Sequence, residues 1–200
     1  MSEYRDKTAP AATQAQMHRP NLTFFHPNPK GTGGALRLEL HPAHDRVSGS
    51  IMMSVANQLT IGDRRGPVPT FPTFDWENKI VVKLDFDDLC KFLQVFRGEC
   101  ESIDGDRGLY HSSPRASTCI KLRHLVDPIS GYSLELYRSV RGSAAESRAH
   151  IILNSAESHG LCEAIAGSMS VISFGIPMVI PHDTSAYEAE KKARRDGYAA

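Results

Sequence analysis

Apolar and polar residues alternate along several short segments of the chain, which is the pattern of half-buried β-strands. In the first of these segments, Leu36, Leu38 and Leu40 share one face, whereas Arg37 and Glu39 share the other. Further strands are predicted at residues 51–55, 78–85, 109–111, 119–126, 132–137 and 151–153. Turns and polar loops are predicted between them, at residues 42–49, 62–72, 127–131 and 141–148.

Two segments instead follow the helical period. The apolar stripe of the first predicted helix is Leu89, Phe92, Leu93 and Phe96. Asp85 is placed to cap its N-terminus, Asp88 favours the positive end of the helix dipole, and Gly98 is a suitable stop. The sequence therefore predicts a strand that leads directly into a capped helix.

The second predicted helix has the apolar stripe Leu161, Ile165, Met169 and Ile172. Asn154 and Glu157 form a capping-box-like pair before it, and Gly175 and Pro177 would end it. Several strands followed by a helix thus occur twice, which indicates an internal repeat. Strands in runs with short turns predict antiparallel sheets with helices packed on one side, hence the α+β class.

The two ends of the chain differ from this core. Residues 1–20 are predicted to be a flexible N-terminal arm and residues 179–200 a mobile, basic C-terminal tail, which leaves residues 21–178 as the domain. No apolar run approaches the ~20 residues of a membrane helix, and no targeting signal is recognised. We therefore expect a cytoplasmic protein without a membrane role.

The formal net charge is zero, so any binding of phosphates must depend on basic residues that are gathered locally. The polar strand face would carry Arg37, Lys79, Lys83, Lys121 and Arg123. Aromatic residues are interleaved with these basic residues along the chain: Phe74, Trp76, Tyr132 and Tyr137. Aromatic platforms stack unpaired bases, at roughly 1–3 kcal/mol each, and basic neighbours bind the phosphates. The combination favours single-stranded nucleic acid as the partner.

Two other interpretations stay open at this point. Alternating lysines and arginines are also typical of a solvated strand face, and Phe74 and Trp76 are also typical of an ordinary core. In that case the chain is a structural oligomer. Catalysis would have to use the cluster of His41 and His44, which lies in a proline-flanked turn where exposed polar residues are usual. Because no catalytic motif accompanies the cluster, we expect no enzyme, no cofactor and no metal site. None of the four cysteines has the spacing of a metal-ligand pair, and Cys90 and Cys162, inside the helical patterns, are interpreted as buried small apolar residues.

The chain resembles the Whirly family of single-stranded DNA-binding proteins in several motifs, which occur in the family's order. They are Lys30-Gly31 through Ala35-Leu36 to Pro42, Phe74-Asp75-Trp76 leading to Lys79, Cys100 with Tyr110-His111, the hairpin of Lys121-Leu122-Arg123, Pro128, Ser130-Gly131-Tyr132, Leu134, Leu136 and Val140, and Ser173-Phe174-Gly175-Ile176-Pro177. The motifs extend over most of the chain.

The resemblance implies two antiparallel four-stranded β-sheets with two helices, assembled as a homotetramer whose helices pair at its centre. It further implies that single-stranded DNA lies along sheet edges and between neighbouring protomers, near Trp76, Lys79, Lys121 and Tyr132, and that Lys30 and Gly31 lie near the DNA or the assembly surface. The expected role is largely sequence-independent binding in DNA replication, recombination, repair or transcription. RNA binding and annealing is the alternative, because the guide-RNA-binding proteins of kinetoplastids share the architecture.

Two departures qualify the resemblance. Thr32 or Gly33 replaces the second lysine of the family's first motif, which puts higher-order assembly in doubt. The long organelle-targeting arm of the plant members has no counterpart, so a bacterial or viral origin is expected.

Overall fold

The computed structural model describes residues 21–43, 47–63, 65, 67–126 and 130–174. Over these residues, the chain forms two antiparallel β-sheets, and each sheet is followed by one α-helix. The predicted α+β class and the repeated order of strands and helix are confirmed. The proposed arm, the tail and the stop at Gly175 and Pro177 lie outside the described residues.

Sheet I contains β1 (Asn21–His26), β2 (Gly34–His41), β3 (Ser50–Thr60), β4 (Thr73–Phe74) and β5 (Ile80–Leu84). The strand order is β1-β2-β3, and both β4 and β5 pair with β3, so the fourth position is divided between two strands. The expectation of four strands is corrected to five. A short turn separates β4 from β5. In this turn, Asn78 donates from its backbone to Asp75 Oδ1 at 3.1 Å and from its side chain to Asp75 Oδ2 at 2.9 Å.

Sheet II contains β6 (Leu109–Ser112), β7 (Ala116–Leu125), β8 (Gly131–Val140) and β9 (Glu146–Asn154), in that order. The predicted hairpin is present, and its pairs run from Ala116 opposite Val140 to Leu125 opposite Gly131. Residues 127–129 of its turn are outside the described residues. The polar loop predicted at 141–148 is too long, because Glu146 pairs with Ser139 and starts β9.

The predicted Asp85 cap and the predicted pair of Asn154 and Glu157 are both present, and each is a complete capping box. Before α1 (Phe86–Phe96), the Asp88 N–H donates to Asp85 Oδ1 at 3.2 Å and the Asp85 N–H to Asp88 Oδ2 at 3.0 Å. Before α2 (Ser155–Phe174), the Glu157 N–H donates to Asn154 Oδ1 at 2.9 Å, and the Asn154 N–H donates to Glu157 Oε2 at 3.1 Å. Each helix therefore starts where its side chains satisfy free backbone donors.

Each capping acid also contacts a histidine from the first strand of the other half. His26 of β1 lies 2.9 Å from Glu157 Oε2, and His111 of β6 lies 3.1 Å from Asp88 Oδ2. Burial raises the pKa of Asp88, although the Asp85 N–H and His111 favour its carboxylate. The two contacts tie the N-terminus of each helix to the sheet of the other repeat.

One hydrophobic core joins both sheets and both helices. Helix α1 contributes Leu89, Phe92, Leu93 and Val95, and α2 contributes Leu161, Cys162, Ile165 and Ile172. All four cysteines are free; Cys119 and Cys162 are buried, Cys90 is half-buried and Cys100 is exposed. The helices cover one face of each sheet, which we call the inner face, and the opposite face is called the outer face.

The two sheets meet most closely where β2 begins. The Asn57 side chain donates to the Arg148 carbonyl oxygen at 2.7 Å, and Asn57 is the register partner of Gly34. A side chain at Gly34 would run into the backbone oxygen of His150 on β9. Glycine is therefore required here by space, since this is a point of backbone contact between the repeats.

Candidate nucleic-acid interface

The outer face of sheet I follows directly from its register. One row joins Phe25, Ala35 and Ala56, and the next joins Thr23, Arg37, Ser54 and Val81. A third row joins Asn21, Glu39, Met52 and Lys83. Ala35 and Ala56 have no exposed surface, and their small side chains leave room for larger neighbours on this face.

Three rings gather on this face, and we call Phe25, Phe74 and Trp76 the aromatic cluster. The ring centroids of Phe25 and Phe74 are 5.4 Å apart, and Phe25 meets Trp76 at 6.4 Å and nearly edge-on, at 87°. Phe25 is 53% exposed, whereas Phe74 and Trp76 are half-buried. Phe25 was not predicted as a site residue, because the sequence pattern does not predict a strand at 21–26.

Arg37 lies beside the aromatic cluster. Its guanidinium carbon lies 4.3 Å from the centroid of the Trp76 ring, a distance typical of a cation–π contact. Its Nε is buried and has no hydrogen-bond partner in the described part of the chain. Among the residues that the structure describes, no carboxylate forms an ion pair with Arg37. The positive charge on this face is therefore not neutralised by a direct contact.

The predicted lysines of sheet I are exposed. Lys83 ends the row of Glu39 and Met52, and Lys79 precedes β5. Lys30 is exposed in the turn between β1 and β2, where Gly31 has a φ of +70°. The backbone N–H groups of Lys30 and Thr32 donate to Asn28 Oδ1 at 3.0 and 3.1 Å. This turn consequently offers the Lys30 side chain to a phosphate rather than a cradle of free backbone donors.

The outer face of sheet II carries the remaining predicted basic residues. Lys121 and Arg123 are exposed on β7, and Lys121 lies opposite Glu135 in the register. The Lys121 ammonium nitrogen is 5.8 Å from the centroid of the Tyr137 ring. Residues on this face line a shallow depression: Tyr110, Ser117, Cys119, Lys121, Tyr137, Ser139 and Glu146.

Glu135 organises this second surface. It accepts a hydrogen bond from the Tyr137 hydroxyl and another from Arg148 Nη2 at 2.8 Å, and we call these three residues the tyrosine network. Burial raises the pKa of Glu135, but the bonds from Tyr137 and Arg148 outweigh that effect and leave the pKa below its usual value. The same bond to Glu135 raises the pKa of Tyr137. Glu135 is thus paired with Arg148, whereas Lys121 and Arg123 form no ion pair among the described residues.

Tyr132 does not belong to either outer face, which corrects the expectation that it lies near the nucleic acid. It is only 9% exposed, and its hydroxyl donates to the Phe96 carbonyl oxygen at 3.2 Å. Its ring packs on Phe96 of α1 with centroids 5.1 Å apart. The cause is parity, because Tyr132 shares the face of Leu134 and Leu136, opposite to that of Tyr137.

The predicted site residues consequently form two groups. Sheet I brings together Arg37, Phe74 and Trp76, and it carries Lys83 on β5, Lys79 just before β5, and Lys30 and Gly31 in the turn between β1 and β2. Sheet II brings together Lys121 and Tyr137, with Arg123 on the same face. Within the described ranges, no hydrogen bond, ion pair or ring contact joins the two groups.

The histidine cluster is only partly visible, since His44 lies outside the described residues. In the described part of the chain, no three His, Cys, Asp or Glu side chains are placed to hold a metal ion. Neither of the two described helices combines the length and apolarity that crossing a bilayer requires.

No protein-family model and no curated protein matches the sequence. Solved structures do match: WHY1 from Arabidopsis thaliana has a TM-score of 0.59 at 16% sequence identity, over 88% of this chain and 92% of that protein. WHY3 from Arabidopsis thaliana has a TM-score of 0.57 at 17% identity, over 86% of this chain and 96% of the other. The plant transcriptional regulator PBF-2 has a TM-score of 0.59 at 18% identity, over 77% and 82%. These are Whirly proteins, and the likeness confirms that the chain has a Whirly-like fold.

Proposed function

We propose that this chain, which folds like the Whirly proteins, is a single-stranded DNA-binding protein that binds its partner on the outer face of sheet I. The observation that carries the proposal is the aromatic cluster beside Arg37, which forms no ion pair among the described residues, on the sheet face opposite the two described helices. Exposed aromatic rings on a sheet stack nucleobases of any sequence, and adjacent basic side chains bind the phosphates. Single strands are the matching partner because a duplex hides its base faces.

Phe25 gives the sharpest test of this surface. Phe25→Leu keeps an apolar side chain but removes the ring plane, so binding of labelled oligo-dT should weaken about tenfold, as expected for one lost stack. Fluorescence anisotropy at low salt measures the affinity. Phe86→Leu is the matched control, because Phe86 is 45% exposed at the start of α1, away from this face.

Three results would contradict the proposal. The first is no measurable binding of oligo-dT by the unaltered protein, and the second is equal affinity for duplex and single strand. The third is an equal loss of affinity in Phe25→Leu and Phe86→Leu.

The choice of DNA over RNA is part of the same proposal. Stacking and phosphate contacts do not read the 2′-hydroxyl, which is the group that separates the two nucleic acids. A competition between DNA and RNA oligomers of equal sequence decides the point, and stronger binding of RNA would favour the RNA-binding alternative. In the DNA case, the protein would act where single strands are exposed, in replication, recombination, repair or transcription.

Assembly as a homotetramer also belongs to the proposal, since the Whirly-like fold supports it. A tetramer would have four times the 22.0 kDa mass of the chain, and light scattering after size-exclusion chromatography measures it. A monomer at micromolar concentration would overturn this part while leaving the aromatic cluster as a binding surface.

A further inference from the structure

Within the aromatic cluster, the Trp76 ring is already in contact with other side chains. Arg37 lies 4.3 Å over the Trp76 ring, and the edge-on contact with Phe25 takes a second side of the same half-buried residue. A base that stacks on tryptophan needs a free ring face of comparable area. Phe25 is different, because it is 53% exposed and meets its two neighbours only tilted or edge-on.

We propose that Trp76 does not stack a base but holds Arg37 in place as the phosphate-binding group of this face, and that Phe25 is the base platform. The inference rests on the proposed function and assigns a part to each residue: Arg37 binds a phosphate, and Phe25 stacks a base. It reverses the sequence-based expectation for Trp76, whose role becomes that of a positioning residue.

The surroundings of Arg37 point to an anionic ligand. The Nε of Arg37 is buried and has no hydrogen-bond partner among the described residues, so a phosphate would meet the terminal N–H groups of the guanidinium. The row neighbours Thr23, Ser54 and Val81 are uncharged, so no side chain in the row competes as a counter-ion. Glu39, two residues along the same face, forms no ion pair with Arg37.

The contact with Trp76 also suits an arginine better than a lysine. A guanidinium lies flat on an indole and still presents in-plane N–H donors, which match two phosphate oxygens at once. Lysine would offer a point charge without this geometry. The phosphodiester is therefore the fitting ligand class, and it is present in every sequence.

A double-mutant cycle separates a positioning role from a stacking role. Arg37→Gln should weaken oligo-dT binding about tenfold and reduce the slope of log affinity against log salt by about 0.7, the value for one phosphate contact on a single strand. Trp76→Leu should cause a similar loss because it releases Arg37. The double variant should then bind no more weakly than Arg37→Gln alone, since the two residues act as one unit.

Independent losses that multiply in the double variant would overturn the inference, because they would mean that Trp76 contacts DNA itself. Phe25→Leu serves as the internal comparison, and its effect should multiply with that of Arg37→Gln. Arg115→Gln, at an exposed site in the turn before β7, controls for the loss of one positive charge. Circular dichroism melting of each variant checks that it is folded.

A second measurement does not depend on any Trp76 variant. The chain has one tryptophan, so its emission reports on this site alone. An abasic phosphodiester strand of the same length as the oligo-dT should change the emission of the unaltered protein, and should not change that of Arg37→Gln. A change seen only with base-bearing strands would assign Trp76 to a base and overturn the inference.

The two failures are distinguishable. If the unaltered protein binds neither strand, the proposed function fails and the inference falls with it. If it binds oligo-dT, but the abasic strand leaves the emission unchanged and the losses multiply, only the assignment of Arg37 and Trp76 fails.

Discussion

At the scale of single residues, the period of two explains both a success and an error. Arg37 and Glu39 lie on the outer face as the alternation of β2 predicts, and so do Lys121 and Arg123 on β7. Tyr132 and Tyr137 are five residues apart on β8, which places them on opposite faces. The interleaving of aromatic and basic residues predicted both tyrosines near the nucleic acid, but the alternation permits only one of them to lie on the outer face. Parity is therefore the better guide to orientation.

The tyrosine network gives a pH prediction at this scale. The phenol of Tyr137 donates to the Glu135 carboxylate, and ionisation would set two negative groups against each other, so its pKa is raised above the ordinary 10.0. A raised tyrosine pKa adds stability below pH 10 that is lost as pH rises through the folded-state value. Glu135→Gln should bring the pKa of Tyr137 back towards 10.0.

Titration of tyrosine ring-carbon signals by NMR in protein labelled at that carbon measures this shift. Arg148→Gln removes the other partner of Glu135 but keeps the carboxylate, so the pKa of Tyr137 should stay raised in that variant. An unchanged Tyr137 signal in Glu135→Gln would show that the carboxylate is not the cause.

At the scale of elements, local rules carried most of the information. Both helix starts follow from side chains three residues apart, because a capping box involves only the first turn. The end of α1 likewise follows from Gly98, which adopts a φ of +73°. These features need no knowledge of distant parts of the chain.

Elements that depend on distant partners were harder to predict. Strand β1 was missed because its adjacent Phe24 and Phe25 break the simple alternation, yet one ring joins the core and the other the outer face. The first three residues of β9 are exposed and read as loop, although they pair with β8. As a result the candidate site lacked Phe25, whose signal was the aromatic run in 21–26, and Arg148.

At the scale of the whole molecule, the two repeats are interlocked rather than placed side by side. The histidine of each first strand contacts the capping acid of the other repeat's helix, and His26 and Glu157 are 131 residues apart. No pattern within a repeat indicates such a pair. The sequence thus predicted the content of each half, while the contacts between the halves required the structure.

Gly34 gives the test of this interlocking. Because a side chain at this position would meet the backbone of β9, Gly34→Ala should force the sheets apart and lower the free energy of unfolding by about 1–3 kcal/mol or more, as overpacking does. Gly160→Ala is the matched control: Gly160 lies in α2 with open space around its Cα, and alanine should stabilise the helix by about 0.5–1 kcal/mol. Urea denaturation followed by circular dichroism measures both.

Opposite signs for the two variants are the expected outcome, since the same chemical change meets a backbone in one place and open space in the other. A Gly34→Ala protein as stable as the unaltered chain would mean that the repeats can move apart there at little cost. The Arg37 site would then be expected to tolerate the substitution as well, because β2 carries both residues three positions apart. Measuring oligo-dT affinity on the same Gly34→Ala sample tests that link: a destabilised protein that still binds with full affinity would show that the outer face of sheet I is built by its own strands, independently of the contact with sheet II.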